Sequence, residues 1–222
     1  MSLFVLKIIG IFSMFLDHYY FIIGGPRILN IIGRVAFPIF AFALNEGYRH
    51  TKNLKLYLIR LGIFALVIQL PLFFSSTKYP MNIFFTLFTG LLIITIMNTK
   101  KVNIFPKILI IASLFYITKK FEFDYSIYGI LLIMIFNIFY NRKMLIFVSF
   151  LFLNLIIVYF PEVFDLSKIQ FYSIFSLIFI FLYNGKKGKS MKYFFYLFYP
   201  LHFFVIELIN KLLMKWKNNG IL

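Results

Sequence analysis

An aspartate and a histidine, Asp17 and His18, are adjacent inside the first apolar stretch of the chain, residues 3–23. Charged side chains are costly in hydrocarbon, so ionisable residues at such positions usually serve a function. Histidine titrates near neutral pH, and a carboxylate beside it can influence its protonation. The pair predicts a proton-transfer site, with His18 and Asp17 as the candidate catalytic residues. The alternative is a polar pair that only joins this helix to a neighbour.

Cations at later positions extend the candidate site. Arg34 lies inside the second apolar stretch, 28–47, and Asp17 is its expected partner. Pro38 is expected to kink the same helix. Arg49 and Lys52 follow at the end of that helix, and Arg60 lies within the third stretch. Fixed cations suit a polyanionic ligand, so the candidate cofactor-binding residues are Arg34, Arg49, Arg60 and Lys52. The alternative for the loop cations is anchoring at the cytoplasmic face.

Further polar residues are candidates for the wall of a pocket. They lie at the ends of apolar stretches or, for His202, after Pro200 within one: Glu46, His50, Gln69, Asn82, Tyr199 and His202. Pro200 is expected to break the last helix. The alternative for these side chains is helix capping and hydrogen bonding between helices.

Composition indicates a membrane protein that is helical throughout. Of the 222 residues, 62% are hydrophobic and only 14% are charged, too few to coat a water-soluble globule. Apolar stretches at 3–23, 28–47, 54–74, 81–97, 104–118, 125–140, 144–160, 169–183 and 193–213 predict an all-α polytopic fold with about nine transmembrane helices, between eight and ten. The fifth is the shortest, and it could be tilted, re-entrant or buried among its neighbours. We expect one membrane domain over residues 1–222.

Charge predicts the topology and excludes some partners. A net charge of +16 on a soluble protein would suggest nucleic acid, but here the basic residues lie mostly in the even-numbered short loops. Acidic residues such as Glu122, Asp124, Glu162 and Asp165 lie in odd-numbered ones. The N-terminus is therefore expected in the cytoplasm, with lipid and not nucleic acid as the surrounding partner. The chain has no Cys, which excludes disulfides and thiolate ligands, and no metal is expected.

Several motifs together are similar to one known family. They are Asp17-His18, Gly33-Arg34, Phe37-Pro38, Glu46-Gly47-Tyr48-Arg49-His50-Thr51, Arg60-Leu61, Gln69-Leu70-Pro71, Asn82-Ile83 and Tyr199-Pro200-Leu201-His202. As a set they resemble the TraX family, named for the F-pilin acetylase of conjugation systems. The similarity is dense over residues 5–97 and returns at 193–207, whereas residues 98–192 show no recognisable motif.

The resemblance implies a multi-pass acetyltransferase of the bacterial cytoplasmic (inner) membrane. Acetyl-CoA would be the co-substrate, and the acceptor would be a hydroxyl or an amine, such as the N-terminus of a pilin or of another secreted or membrane peptide. An intramembrane histidine is the expected catalytic residue in the wider group of membrane acyltransferases. His18 would then act as general base or carry the acetyl group transiently. Two alternatives remain, a proton-coupled transporter or flippase and a non-catalytic assembly factor.

Overall fold

The computed structural model describes residues 1–74 and 80–218. In chain order the helices are α1 (Leu3–Ile22), α2 (Ile28–Gly33), α3 (Ala36–His50), α4 (Leu54–Phe73), α5 (Ile83–Asn98), α6 (Ile104–Lys120), α7 (Ser126–Ile138), α8 (Lys143–Tyr159), α9 (Ser176–Phe181) and α10 (Lys192–Asn218). Two 3-10 segments, Pro161–Val163 and Lys168–Phe175, precede α9. Within the described ranges there is no strand, only an isolated bridge between Met81 and Phe123. The prediction of an all-helical fold is confirmed.

Four helical segments are long and apolar enough to cross a membrane. By length and composition these are Leu3–Ile22, Ile28–His50, Leu54–Phe73 and Leu197–Trp216. Ile28–His50 comprises both α2 and α3. The other apolar stretches also contain helix, but most of these helices are shorter. The chain is thus an integral membrane protein, and the count of nine transmembrane helices stays a prediction.

The surface of several helices is apolar, as a bilayer requires. Leu66 and Val67 of α4 and Ile108 of α6 are each more than half exposed, and such side chains are stable on the outside only in contact with lipid. Of α6, which corresponds to the fifth stretch, only Thr118 is buried. The suggestion that this helix could be buried among its neighbours was therefore wrong, because most of its residues are exposed.

The chain divides into two compact units, Met1–Phe40 with Tyr172–Leu222, and Ala41–Phe171. In the first unit α1 packs against α2 and α10. In the second, α5, α7 and α8 enclose a dry core of fully buried Leu91, Ile133 and Phe150. Gly90 of α5 lies so close to Ile133 that an added Cβ would overlap it. Whether residues 1–222 act as a single membrane domain stays a prediction.

The two prolines that were expected to disturb helices differ in their effect. The helical segment Ile28–His50 is interrupted at Arg34 and Val35. Pro38 follows four residues after Arg34, and a proline lacks the N–H for the carbonyl four residues earlier, so the interruption agrees with the expected kink. Pro200 lies inside α10, which continues through it to Asn218, so the expected break there was wrong. A membrane helix tolerates a proline where neighbours satisfy the freed backbone group.

Asn82 joins the start of α5 to the end of α4. Its side-chain oxygen accepts from the N–H of Phe84 at 3.0 Å and caps the helix. Its amide nitrogen donates to the carbonyl of Ala65 at 2.8 Å and to Oε1 of Gln69 at 2.9 Å. Gln69 and Asn82 are both buried, so the interpretation of these two residues as caps and interhelical hydrogen bonds is confirmed.

Replacing Asn82 by alanine should destabilise the fold measurably. The substitution removes a helix cap worth about 1 kcal/mol and the two bonds that the Asn82 amide donates to Ala65 and Gln69, each worth about 0.5–1.5 kcal/mol. Oε1 of Gln69 keeps the bond from the backbone N–H of residue 82. The temperature of unfolding in detergent should fall clearly. Asn103→Ala is the matched control, because Asn103 precedes α6 without a side-chain capping bond. Equal effects of the two substitutions would contradict this account.

Candidate active site

Asp17 and His18 lie near the end of α1 and point in different directions. Successive helical residues are about 100° apart, so each contacts different neighbours. Asp17 is 7% exposed, whereas His18 is partly accessible. Among the described residues no hydrogen bond joins the two. Asp17 and His18 therefore do not act as a hydrogen-bonded pair, and each has its own set of contacts.

Asp17 is held by the short helix that follows. Arg34 forms an ion pair with its Oδ2, as expected from the sequence. Asn30 donates from Nδ2 to Oδ1 at 2.7 Å. Gly33 lies against the carboxylate so closely that a Cβ there would overlap it. Arg34 is thus a counter-ion to Asp17, and Gly33 is required for the close approach of α2 to α1.

His18 meets the second buried histidine of the same unit. Its Nδ1 lies 2.7 Å from Nε2 of His202, which α10 contributes. His202 is 2% exposed, and its Nδ1 is 3.0 Å from the carbonyl oxygen of Phe198, one turn earlier. The sequence marked both histidines as candidates but did not predict that they contact each other, since their pairing depends on how α1 packs against α10.

The hydrogen bonds determine which nitrogen of each neutral ring bears the proton. A carbonyl oxygen only accepts, so Nδ1 of His202 donates to Phe198. Nε2 of His202 is then an acceptor, and Nδ1 of His18 must be the donor in the bond between the rings. His18 is left with a lone pair on Nε2. A neutral imidazole in this tautomer can accept a proton while its other nitrogen remains hydrogen-bonded.

Aromatic rings surround the two imidazoles. The Phe203 ring centroid lies 4.4 Å from that of His18. The Phe198 ring stacks on His202 at 5.3 Å with an interplanar angle of 4°. Tyr199, a candidate wall residue, meets His202 edge-on at 5.5 Å. These rings give both imidazoles a largely apolar surrounding.

A second polar cluster lies at the end of α3, in the other unit. Glu46 is 2% exposed and accepts a hydrogen bond from the Tyr140 hydroxyl. His50 Nδ1 lies 2.9 Å from the Glu46 carbonyl oxygen and 3.7 Å from its Oε2. Arg49 donates to the carbonyl of Asn137 at 3.0 Å, and its guanidinium lies 3.7 Å from the Tyr140 ring centroid. Glu46, Arg49 and His50 are thus brought together as the sequence suggested.

Tyr140 connects the carboxylate and the guanidinium of this cluster. Its burial raises the pKa of the phenol, and the hydrogen bond and charge of Glu46 raise that pKa further, while Arg49 opposes them. The hydroxyl therefore stays a donor to Glu46 across the physiological pH range. Neither Tyr140 nor Asn137 was predicted, since Asn137 lies near the end of α7 and Tyr140 just after that helix, where polar side chains are common.

The remaining cations have fewer contacts. Lys52 is exposed beyond the end of α3. Arg60 is half-buried in α4, with its guanidinium 5.9 Å from the Tyr57 ring centroid. In the described part of the chain, no hydrogen bond links either side chain to the Glu46 cluster.

Comparison with known proteins identifies the family. A family model described as TraX protein matches residues 2–210. The chain belongs to the TraX family. The match includes residues 98–192, where the sequence showed no motif. A TraX-family assignment also agrees with the integral membrane fold.

One curated protein is similar over part of its length. It is a probable fimbrial assembly protein, FimC of serogroup H1, from Dichelobacter nodosus, 38% identical over 73 residues. The match covers 31% of this TraX-family chain and 30% of that protein, so the chain spans less than a third of its relative. No solved structure matches the chain.

Breaking the ion pair at Asp17 should be costly. Arg34→Met leaves a carboxylate buried without its cation and should lower the free energy of unfolding by about 3–5 kcal/mol. Adding Asp17→Leu should recover most of the loss, which thermal unfolding in detergent measures. The matched control is Lys119→Met, since its ion pair with Asp165 has side chains 47% and 70% exposed, against 12% and 10% for Arg34 and Asp17. A loss of more than about 1 kcal/mol in the control would contradict the argument.

Adding a methyl group at Gly33 should disturb the same carboxylate. Gly33→Ala pushes Asp17 away from Arg34 and should destabilise by about 1–3 kcal/mol. Gly62→Ala is the control, because a Cβ there meets Phe88 at an ordinary 3.4 Å and alanine favours a helix. Unfolding temperatures that change equally in both variants would argue against the close approach.

Proposed function

We propose that this TraX-family chain is a membrane-embedded acetyltransferase. It transfers an acetyl group from acetyl-CoA to an amine, or alternatively to a hydroxyl. The observation that supports the proposal is the hydrogen bond between His18 and His202, which leaves Nε2 of His18 with its lone pair in a site lined by aromatic rings. A positioned base of this kind is what acyl transfer to a protonated nucleophile needs.

The chemistry follows from the tautomer of His18. The acceptor nitrogen attacks the thioester carbonyl carbon, so a C–N bond forms and the C–S bond to CoA breaks. Nε2 of His18 takes the proton that the amine loses, and that proton leaves on the CoA sulfur. Throughout, Nδ1–H of His18 stays bonded to His202, which stabilises the imidazolium while it exists. The products are an acetamide and free CoA.

In this proposal Asp17 is a positioning residue that holds α1 in place. Its contacts with Arg34 and Asn30 fix the rotation of the helix, and this rotation directs His18 toward α10. The sequence names Arg49, Arg60 and Lys52 as candidates for the donor phosphates, and that assignment stays a prediction. Arg49 already contacts Asn137 and Tyr140.

The acceptor and the membrane are proposed on other grounds. The similarity to a probable fimbrial assembly protein favours a pilin N-terminus, or that of another secreted or membrane peptide, as the amine. The distribution of loop charge favours a cytoplasmic N-terminus in the bacterial inner membrane. Acetyl-CoA would then enter from the cytoplasm.

Substitution of the two histidines tests the function. With protein in liposomes, acetyl-CoA and a synthetic peptide with a free N-terminus, CoA thiol release should fall by about 10²–10⁴-fold in His18→Ala. His202→Phe keeps the ring shape but loses the acceptor, so kcat should fall while KM stays near its original value. His50→Ala is the control, since His50 lies in the other unit and its side chain is 66% exposed.

The outcomes separate the alternatives. A peptide with a blocked N-terminus should give no thiol release above background if the acceptor is an amine. Full activity of His18→Ala would exclude His18 as the base. If the original protein releases no CoA with amine or hydroxyl acceptors, the acetyltransferase proposal fails.

A further inference from the structure

A basic cavity lies where α1 begins, away from the histidine pair. Its volume is about 60 Å³, far below the range of about 300–1,000 Å³ for pockets that enclose a whole ligand, so it has room only for a small group. Three lysines line it, Lys7 from α1 and Lys187 and Lys189 from the loop before α10, together with Ser190 and the ring of Phe195. No acidic side chain is among its lining residues.

The loop that carries two of these lysines is fixed to the start of α1. Leu3 N–H donates to the Lys186 carbonyl at 2.8 Å, and Phe4 N–H donates to the Lys187 carbonyl at 3.1 Å. Asn184 N–H bonds to the Met1 carbonyl at 3.0 Å. The backbone N–H groups at this helix end are thus used within the protein, and the cavity presents side-chain ammonium groups instead.

Gly188 determines the path of this loop between Lys187 and Lys189. Its φ of +69° is a conformation that side chains rarely adopt, and an added Cβ would lie 2.7 Å from Oγ of Ser2. The two lysines therefore leave the backbone on either side of a turn held against α1. The backbone of this loop is therefore fixed against α1, although the side chains of Lys187 and Lys189 are exposed.

The charge of the cavity requires a partner. Lys7 lies in an apolar helix with its Nζ 5.3 Å from the Phe195 ring centroid, a contact that offsets only part of the cost of an ammonium there. Two further ammonium groups of the same sign line the same cavity. Repulsion among three cations is relieved when a ligand with several negative oxygens lies between them. We propose that this cavity binds the phosphate groups of a phosphorylated ligand.

Two sources could supply such a phosphate. One is the CoA portion of the soluble donor acetyl-CoA, an identification that rests on the proposed function. The other is the headgroup of an anionic lipid, because the cavity opens at the end of a membrane helix. The cavity holds a phosphorylated fragment and not a whole nucleotide cofactor, so in either case the rest of the ligand lies outside it.

Calorimetric titration of coenzyme A, with pantetheine as the probe without phosphate, tests the soluble source. The protein is placed in nanodiscs of phosphatidylcholine, and the variants are Lys7→Gln and the double variant Lys187→Gln with Lys189→Gln. Each should weaken CoA binding by about tenfold or more, because a charge-assisted hydrogen bond is lost. The binding of pantetheine should not change. Lys7→Arg should retain binding and shows that the site is intact.

The double variant Lys100→Gln with Lys101→Gln is the matched control, since both are exposed adjacent loop lysines. It should bind CoA as the original protein does. If CoA binds and the cavity variants match this control, the cavity inference is wrong while an acetyl-CoA-dependent function stands.

Phosphatidylglycerol nanodiscs and native mass spectrometry test the lipid source. The original protein could fail to bind CoA but retain phosphatidylglycerol, while the cavity variants lose the lipid. In that case the cavity is a phosphate site and the proposed function fails. If neither ligand depends on the three lysines, the cavity inference is overturned.

Discussion

A buried carboxylate needs a cation and hydrogen-bond donors to compensate it, and Asp17 obtains the donor Asn30 from α2 and the cation Arg34 from the turn that follows α2. This requirement explains why α2 is short and why the chain turns sharply after α1. Arg34 and Asn30 must reach back to one carboxylate, and Gly33 must let the two helices approach. The rotation of α1 is thereby fixed, and with it the direction of His18.

A chain of hydrogen bonds from the backbone determines the tautomers of His202 and His18. The Phe198 carbonyl can only accept, so the proton of His202 lies on Nδ1. His18 must then donate from Nδ1 to Nε2 of His202, and the lone pair of His18 lies on its Nε2. Neither imidazole needs a carboxylate beside it for this purpose. Asp17 and His18 are adjacent in the sequence, yet the one orients the helix and the other faces α10.

The sequence predicted correctly those features that depend on the energetic cost of polar groups in hydrocarbon. An all-helical membrane fold, the pairing of Asp17 with Arg34 and the capping by Asn82 all followed from the expense of polar groups in hydrocarbon. The pairing of His18 with His202 could not be predicted, because it depends on how α1 and α10 pack. The expected break at Pro200 was wrong because the effect of a proline depends on its surroundings in the folded helix, which motifs do not reveal. Asn30, Asn137 and Tyr140 gave no signal, since each is common outside any site.

The bond between the two histidines joins residues 184 positions apart. During synthesis α1 enters the bilayer long before α10 exists, and through that interval Nδ1 of His18 lacks the acceptor that sets its tautomer. The carboxylate of Asp17 is compensated early, because Arg34 follows within the next helix. Biogenesis therefore has two stages: the ion pair of Asp17 forms early in translation, and the tautomer of His18 is set only when α10, the last described helix, has been inserted.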